Sequence, residues 1–317
     1  MYWRKVDELI YCTLFNPAVD AVYTLDEIQT GGAVKNVGSC IVPSGKGINV
    51  AATLKILGED VCVAGIAHEN NHRQFTEYLE RIGVQSHFVT VPGTSRINVT
   101  LVESKSGQTT HINSAQAPVR AGLQDELLDF LRSNISSGDI CACCGSVPTG
   151  IGNDIYQKLI RICKEKGAIA MLDCSGKPFK MGVRAKPLLI KPNLEELEEF
   201  FGENIQGVHH IALKGKRLVD MGIGYVLISL GSDGMIAIHE NDCLLCLSPQ
   251  IRAINTVGCG DSLVGGILAG FVRNFSFTEM CRMAVACGTV KAMHNDPANI
   301  TRDEVWRLME EVTIKAV

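Results

Sequence analysis

The 317 residues carry 34 acidic against 30 basic side chains, a net charge of −4, with 46% hydrophobic and 20% charged residues. That is the composition of a compact folded protein; it excludes collagen, coiled coil and a wholly disordered chain, and it suffices for one large α/β domain with an accessory piece or for two domains. There is no basic stripe for a polyphosphate backbone, the longest near-continuous apolar run (Leu263 to Val272) is far short of the ~20 residues that span a bilayer, and Met1 to Glu8 is too polar for a signal peptide, so a cytoplasmic protein without nucleic-acid or membrane partners is expected.

In chain order the apolar runs Leu9 to Phe15, Val61 to Ile66, Ile140 to Cys144, Ile169 to Asp173, Leu188 to Lys191 and Tyr225 to Leu230 read as strands. Helical periodicity marks Ile48 to Leu57, Arg73 to Ile82, Leu123 to Leu131, Asp154 to Lys166, Leu194 to Phe201 and His209 to Met221. Strand alternating with helix predicts a parallel sheet covered on both faces. Ala21 to Val42 and Gln85 to Asn113, rich in Val, Thr and Gly, break the rhythm and read as antiparallel strands outside the main sheet. After Leu247 the pattern turns mostly helical, over Asp261 to Val272, Phe277 to Met293 and Arg302 to Val312.

The thirteen cysteines are an odd number without a secretion signal, which fits a reducing compartment. Cys141, Cys143 and Cys144 lie in a short apolar run and read as core filling. Cys243 and Cys246 have C-x-x-C spacing, but no second pair matches it, and the alternation in DCLLCLS favours a strand over a zinc site.

Ligands of open α/β sheets bind beyond the carboxyl ends of the strands, so the glycines and polar residues after each strand are the candidates. The most specific stretch is NTVGCGDSLVGGILAGF, Asn255 to Phe271. Gly258 and Gly260 let the backbone curl, and the helix that follows offers unpaired N–H groups and a positive dipole end, an anion cradle. Asp261 at this helix start reads either as an ordinary N-cap or as a base beside transferred phosphoryl charge. No G-x-x-x-x-G-K-[ST] occurs, since Lys46 is followed by Gly47, and no strand opens onto a complete G-x-G-x-x-G. Ser44, Gly45, Lys46, Gly47 and Asn49 form a Gly-rich turn with a cation and an amide, suited to closing over a polyhydroxyl ligand or to being a loop with a solvated lysine.

Eight segments occur in one order: TLFNPAVD (13–20), SGKGINVA (44–51), TSRINVTL (94–101), GSVPTG (145–150), LDCSGKP (172–178), KPNLEELEEF (191–200), SLGSDG (229–234) and NTVGCGDS (255–262). Together, from about Ile10 to Val312, the chain resembles the PfkB (ribokinase-like) carbohydrate kinases, within them the branch of 1-phosphofructokinase, tagatose-6-phosphate kinase and the minor 6-phosphofructokinase. The resemblance implies a single ribokinase-like α/β domain over 1–317, with a mostly parallel central sheet, helices on both faces and a small β-sheet lid formed by about 21–42 and 85–113. It also implies ATP- and Mg²⁺-dependent transfer of a γ-phosphoryl group to a hydroxyl of a ketohexose phosphate, and a homodimer through the lid. Fructose 1-phosphate, giving fructose 1,6-bisphosphate, leads because TSRINVTL, GKGINVA and THIN match that subgroup most. Tagatose 6-phosphate and fructose 6-phosphate are the alternatives, and a non-catalytic sugar-phosphate sensor is the alternative from another class.

By the same resemblance Asp261 is the general base, and the N–H groups of Gly258, Cys259 and Gly260 form the anion hole. Asn193 and Glu196 place Mg²⁺ through water, although helix-surface charge is the plainer reading of Glu196. Asp20, Gly45, Lys46 and Asn49 meet the sugar, while Arg96, Ser146 and Lys35 meet its phosphate. Lys191, Asn193, Ser229, Gly231, Gly234, Gly260 and Asn295 face the nucleotide. The chain departs from the family pattern at Ser44, where a glycine is usual and the turn is thereby restricted, at Val42, often acidic in 1-phosphofructokinases, and at Cys259, where alanine is commoner. A thiol at a helix N-terminus is expected to have a lowered pKa, and modification of Cys259 to block activity.

Overall fold

The computed structural model describes residues 8–317 except 29, 35, 107, 116, 117, 297 and 298, so Lys35 and most of the stretch before Leu9 lie outside the described residues. The six apolar runs become β1 (Ile10–Leu14), β4 (Val61–His68), β8 (Ile140–Cys144), β9 (Ile169–Asp173), β10 (Leu189–Ile190) and β11 (Tyr225–Ser229), all mutually parallel and joined by a further parallel strand, β5 (Gln85–Val91). Antiparallel β12 (Met235–His239), β13 (Asp242–Leu247) and β14 (Thr313–Ala316) extend one edge, giving the order β14-β13-β12-β11-β10-β9-β8-β1-β4-β5. A second, four-stranded sheet has the order β3-β2-β6-β7, from β2 (Ala18–Leu25), β3 (Asn36–Ser44), β6 (Arg96–Glu103) and β7 (Thr109–Asn113).

Helices cover the large sheet on both faces, as the alternation predicts. On one face lie α1 (Lys46–Leu57), α2 (His72–Arg81), α8 (Cys259–Val272), α9 (Phe277–Ala292) and α10 (Arg302–Glu311), sharing a core that includes Leu54, Phe75, Ile267, Val290 and Leu308. On the other lie α3 (Leu123–Asn134), α4 (Ile155–Lys166), α5 (Gly176–Arg184), α6 (Leu194–Phe201) and α7 (Val208–Asp220), around Leu131, Leu159, Phe179, Leu197 and Leu218. Most of the cysteines fill these cores, Cys40 and Cys259 excepted: on β8, Cys141 and Cys143 face one and Cys144 the other. Cys243 and Cys246, three apart on β13, likewise pack toward opposite faces, which rules out a shared metal. Among the described residues no group of His, Cys, Asp and Glu has metal-binding geometry, and no helix is long and apolar enough to cross a membrane.

The segment from Gln85 to Asn113 divides, contrary to the sequence reading. Gln85–Val91 is the edge strand of the large sheet, parallel to β4, and only β6 and β7 join the small sheet, where β6 also runs parallel to β2. The alternation in QSHFVTV is that of an edge strand with one wet face; it reports exposure, not which sheet the strand belongs to. Helix α5 and strands β12 and β14 were not marked by periodicity either.

Candidate active site

Most of the candidate groups stand at a strand's carboxyl end or at a helix start facing it; Asp20 and Arg96 lie instead on strands of the small sheet, and Asn295 follows α9. β9 ends on Asp173, β10 is followed by Lys191, β11 ends on Ser229, and the turn after β8 carries Gly145 and Ser146. Opposite them α8 begins with Gly258 as N-cap at φ +81°, the left-handed region where a side chain is strained. Glycines also set how near α8 approaches its neighbours. A Cβ on Gly265 would stand 2.7 Å from Thr53 Cβ, and one on Gly266 2.7 Å from the Met283 carbonyl oxygen, so α8 is wedged between α1 and α9. The Thr53 to Ser262 hydroxyl bond, 3.1 Å, closes the same contact.

That wedge brings Asp261 to Asn49. Asp261 is the third residue of α8 and caps nothing; its Oδ2 accepts from Asn49 Nδ2 at 2.8 Å, so the N-cap reading is excluded. Burial pushes its carboxyl above the ordinary range, with Lys46 pulling the other way and the Asp173 charge adding to the rise. Asp173, fully buried, does the opposite: burial would raise it, but Lys191 and Lys46 hold it below the ordinary range. Its Oδ1 takes Lys46 Nζ at 2.8 Å and Lys191 Nζ at 3.3 Å, and its Oδ2 has no partner among the described residues. Burial disfavours the Lys46 ammonium, but Asp173 and Asp261 outweigh it and raise its pKa. Asp173, the centre of this cluster, had no role in the sequence reading, although LDCSGKP contained it; its position at the end of a parallel strand was the available signal.

Two cavities open beside the groups around Asp261, which itself lines neither. One of about 330 Å³ is lined by Ser229, Gly231, Gly234, Cys259, Gly260 and Gly288, among others, bringing together most of the nucleotide-side candidates. The other, about 150 Å³, is lined by Asn16, Gly45, Lys46, Arg96, Gly145 and Ser146, among others, and gathers four of the candidates for a phosphorylated sugar, while Asp20 and Asn49 border a different pocket. Asn16, also unassigned from sequence, donates through Nδ2 to Ser146 Oγ at 2.7 Å. Arg96 is half-buried, its Nε has no partner among the described residues, and burial lowers its pKa against the pull of Asp20. The Gly-rich turn keeps its shape without a glycine at 44: Ser44 ends β3, and the positive φ, +133°, belongs to Gly45. Gly47 has no room for a side chain, since a Cβ would lie 2.2 Å from the Thr13 carbonyl oxygen.

Several candidates sit elsewhere than expected. Asn295 does not line the larger cavity; it borders a small pocket of about 20 Å³ with Asp20, Asn49, Asn255 and Lys291, because the chain after α9 turns toward the small sheet. Asp20 accepts from Asn98 Nδ2 at 2.9 Å across the β2–β6 pairing. Asn193 and Glu196 form the capping box of α6: Asn193 Oδ1 accepts from the Glu196 N–H at 2.7 Å, and Glu196 Oε2 from the Asn193 N–H at 2.9 Å. Glu196 also feels the site, since burial and the Asp173 charge raise its carboxyl. The Cys259 N–H is engaged in the turn, 3.3 Å from the Thr256 carbonyl. Its thiol is pushed up to about 11, not lowered, because burial exceeds the pull of Lys291, so the expected reactivity does not follow.

The family model described as "pfkB family carbohydrate kinase" matches residues 14–302. The chain is similar to the 1-phosphofructokinase of Bacillus subtilis, 31% identical over 96% of this chain and 99% of that protein. It is similar also to the 1-phosphofructokinase of Escherichia coli, 30% identical over 95% and 96%. Phosphofructokinase-2 of Escherichia coli, solved in a tetrameric inhibited form, shares the fold at a TM-score of 0.87 and 23% identity, over 96% of this chain and 99% of that one.

Proposed function

The chain belongs to the pfkB family of carbohydrate kinases, phosphotransferases with a hydroxyl acceptor, and on that premise we propose that it uses ATP to phosphorylate a ketohexose phosphate, with fructose 1-phosphate as acceptor and fructose 1,6-bisphosphate as product. The observation that carries the substrate class is the cavity holding Arg96, Lys46 and Ser146: two cations and a hydroxyl around one space suit an acceptor that already bears a phosphate. The relatives named 1-phosphofructokinase support fructose 1-phosphate over tagatose 6-phosphate and fructose 6-phosphate.

In this reading Asn49 holds the Asp261 carboxylate toward the acceptor, and Asp261 takes the proton of the hydroxyl as its oxygen bonds to the γ-phosphorus and the bond to ADP breaks. The N–H groups of Gly258 and Gly260 and the positive end of α8 receive the charge of the transferred group, the Cys259 N–H being held by the Thr256 carbonyl. Lys191 supports them, its Nζ lying 3.6 Å from where a Gly260 Cβ would be. Ser229, Gly231 and Gly234 border the nucleotide. Asn193 and Glu196 would hold Mg²⁺ through water, and the residues fit: Glu196 is raised by burial and then by the Asp173 charge, and Asp173 Oδ2 is buried without a partner among the described residues. When bound, that ion supplies charge neutralisation on the nucleotide phosphates. The small sheet acts as a lid, excluding water that would otherwise accept the phosphoryl group. The thirteen free cysteines suit a cytoplasmic site of action.

Arg96→Ala tests the assignment. Loss of a charge-assisted pair of ~1.5–3 kcal/mol raises the sugar-phosphate KM about 10- to 100-fold while the ATP KM holds. An unchanged sugar-phosphate KM contradicts the assignment.

A further inference from the structure

Lys291, in the last turn of α9, is a buried cation to which the chemistry above gives no role. It is 2% exposed, and its Nζ donates to the His294 carbonyl at 2.9 Å. Its side chain runs beneath the anion-binding turn: a Cβ on Gly258 would stand 3.6 Å from Lys291 Cε. The same end of α9 anchors the strand of chain leading into that turn, since the Ile254 and Asn255 N–H groups both donate to the Ala292 carbonyl, at 2.7 and 3.1 Å. Farther up α9, a Cβ on Gly288 would approach the Cys259 carbonyl oxygen to 3.1 Å, so α9 backs the whole turn. On its other side Lys291 lines the small pocket with Asp20, Asn49 and Asn295.

An ammonium so buried costs several kcal/mol unless negative charge lies nearby, and a methionine would fill the space without that cost. A helix C-terminus offsets part of it. Cys259 and the carboxylates of Asp261, Asp296 and Asp20 oppose the effect of burial without cancelling it, so the ammonium's pKa stays below its ordinary value. The charge therefore stands against the turn that would receive a phosphoryl group and is felt by the acid that would take the proton.

We infer that Lys291 is a positioning residue for phosphoryl transfer, a fixed internal cation that holds the Gly258–Gly260 turn against the end of α9 and lends it positive charge. The inference rests on the kinase reading above. Lys291→Met, Lys291→Arg and Lys291→Ala are compared with wild type for turnover of the sugar phosphate that wild type uses, with thermal unfolding recorded alongside. Lys291→Met lowers kcat about 10- to 100-fold, the cost of a misaimed donor turn, with the sugar-phosphate KM within about twofold. Lys291→Arg keeps more activity than Lys291→Met. In Lys291→Ala, where the truncation leaves room for a small cation, ammonium chloride restores part of kcat and tetramethylammonium chloride at equal ionic strength does not. Wild-type kcat in Lys291→Met, a loss in Lys291→Ala that ammonium leaves unchanged, or a Lys291→Met chain that fails to fold with and without ammonium overturns the inference. Failure of the wild type itself to transfer a phosphoryl group removes the kinase reading instead, before any variant is compared.

Discussion

Two buried carboxylates under the influence of the same two lysines are shifted in opposite directions. Asp173 takes both ammonium groups and stays ionised, while Asp261, with an amide for its partner, is pushed up by burial. A base must be deprotonated to act, so raising its pKa moves the acid limb of the rate upward: activity is lost as pH falls through the raised Asp261 value, above the ~3.9 of a free aspartate. The measurement is kcat/KM against pH, with far-UV circular dichroism to show the chain still folded. A rate flat down to the ordinary aspartate range contradicts the environment described for Asp261. Asp261 itself was legible in the sequence, since an acid between paired glycines and an apolar helix has few readings, and its partner Asn49 lay in a recognisable turn. Asp173 was not, because its importance is that Lys46 and Lys191, 127 and 18 residues away in the chain, converge on one oxygen.

Among the elements, the parallel strands of the interior were read nearly to the residue because strands buried on both faces are short uninterrupted apolar runs between amphipathic helices. β5 was assigned to the wrong sheet because an edge strand and a lid strand carry the same alternation. The small sheet uses that alternation well. Asp20, Arg96, Asn98 and Thr100 lie on the face toward the site, and Ile41, Ala21, Val99 and Ile112 form a cross-strand row on the other. Ile41, Ile97 and Ile112 are each about half exposed, more than a lone sheet face ordinarily leaves to water. A second copy of this sheet is the proposed cover, so sedimentation should give twice the 34.3 kDa chain mass, and Ile41→Glu with Ile97→Glu should return it to one. A wild type that sediments as a single chain excludes the pairing.

At the scale of the molecule, the large sheet holds Ser146, Asp173, Lys191 and Ser229 at its strand ends, the wedge of α8 between α1 and α9 carries the acid to them, and the small sheet supplies Arg96 from above. Family and fold were legible because eight segments keep one order along the chain; the division of the site into two cavities was not, since it depends on where separate loops meet. The central claim, that Asp261 is the base of a sugar-phosphate kinase, is tested most directly by one assay. Wild type and Asp261→Asn are supplied with ATP and Mg²⁺ against fructose 1-phosphate, fructose 6-phosphate, tagatose 6-phosphate, fructose and ribose. Turnover of fructose 1-phosphate to the bisphosphate, falling by about 10²–10⁴ in Asp261→Asn, is the predicted result. Turnover of none of them by wild type, or an Asp261→Asn chain that keeps the wild-type rate, would contradict it.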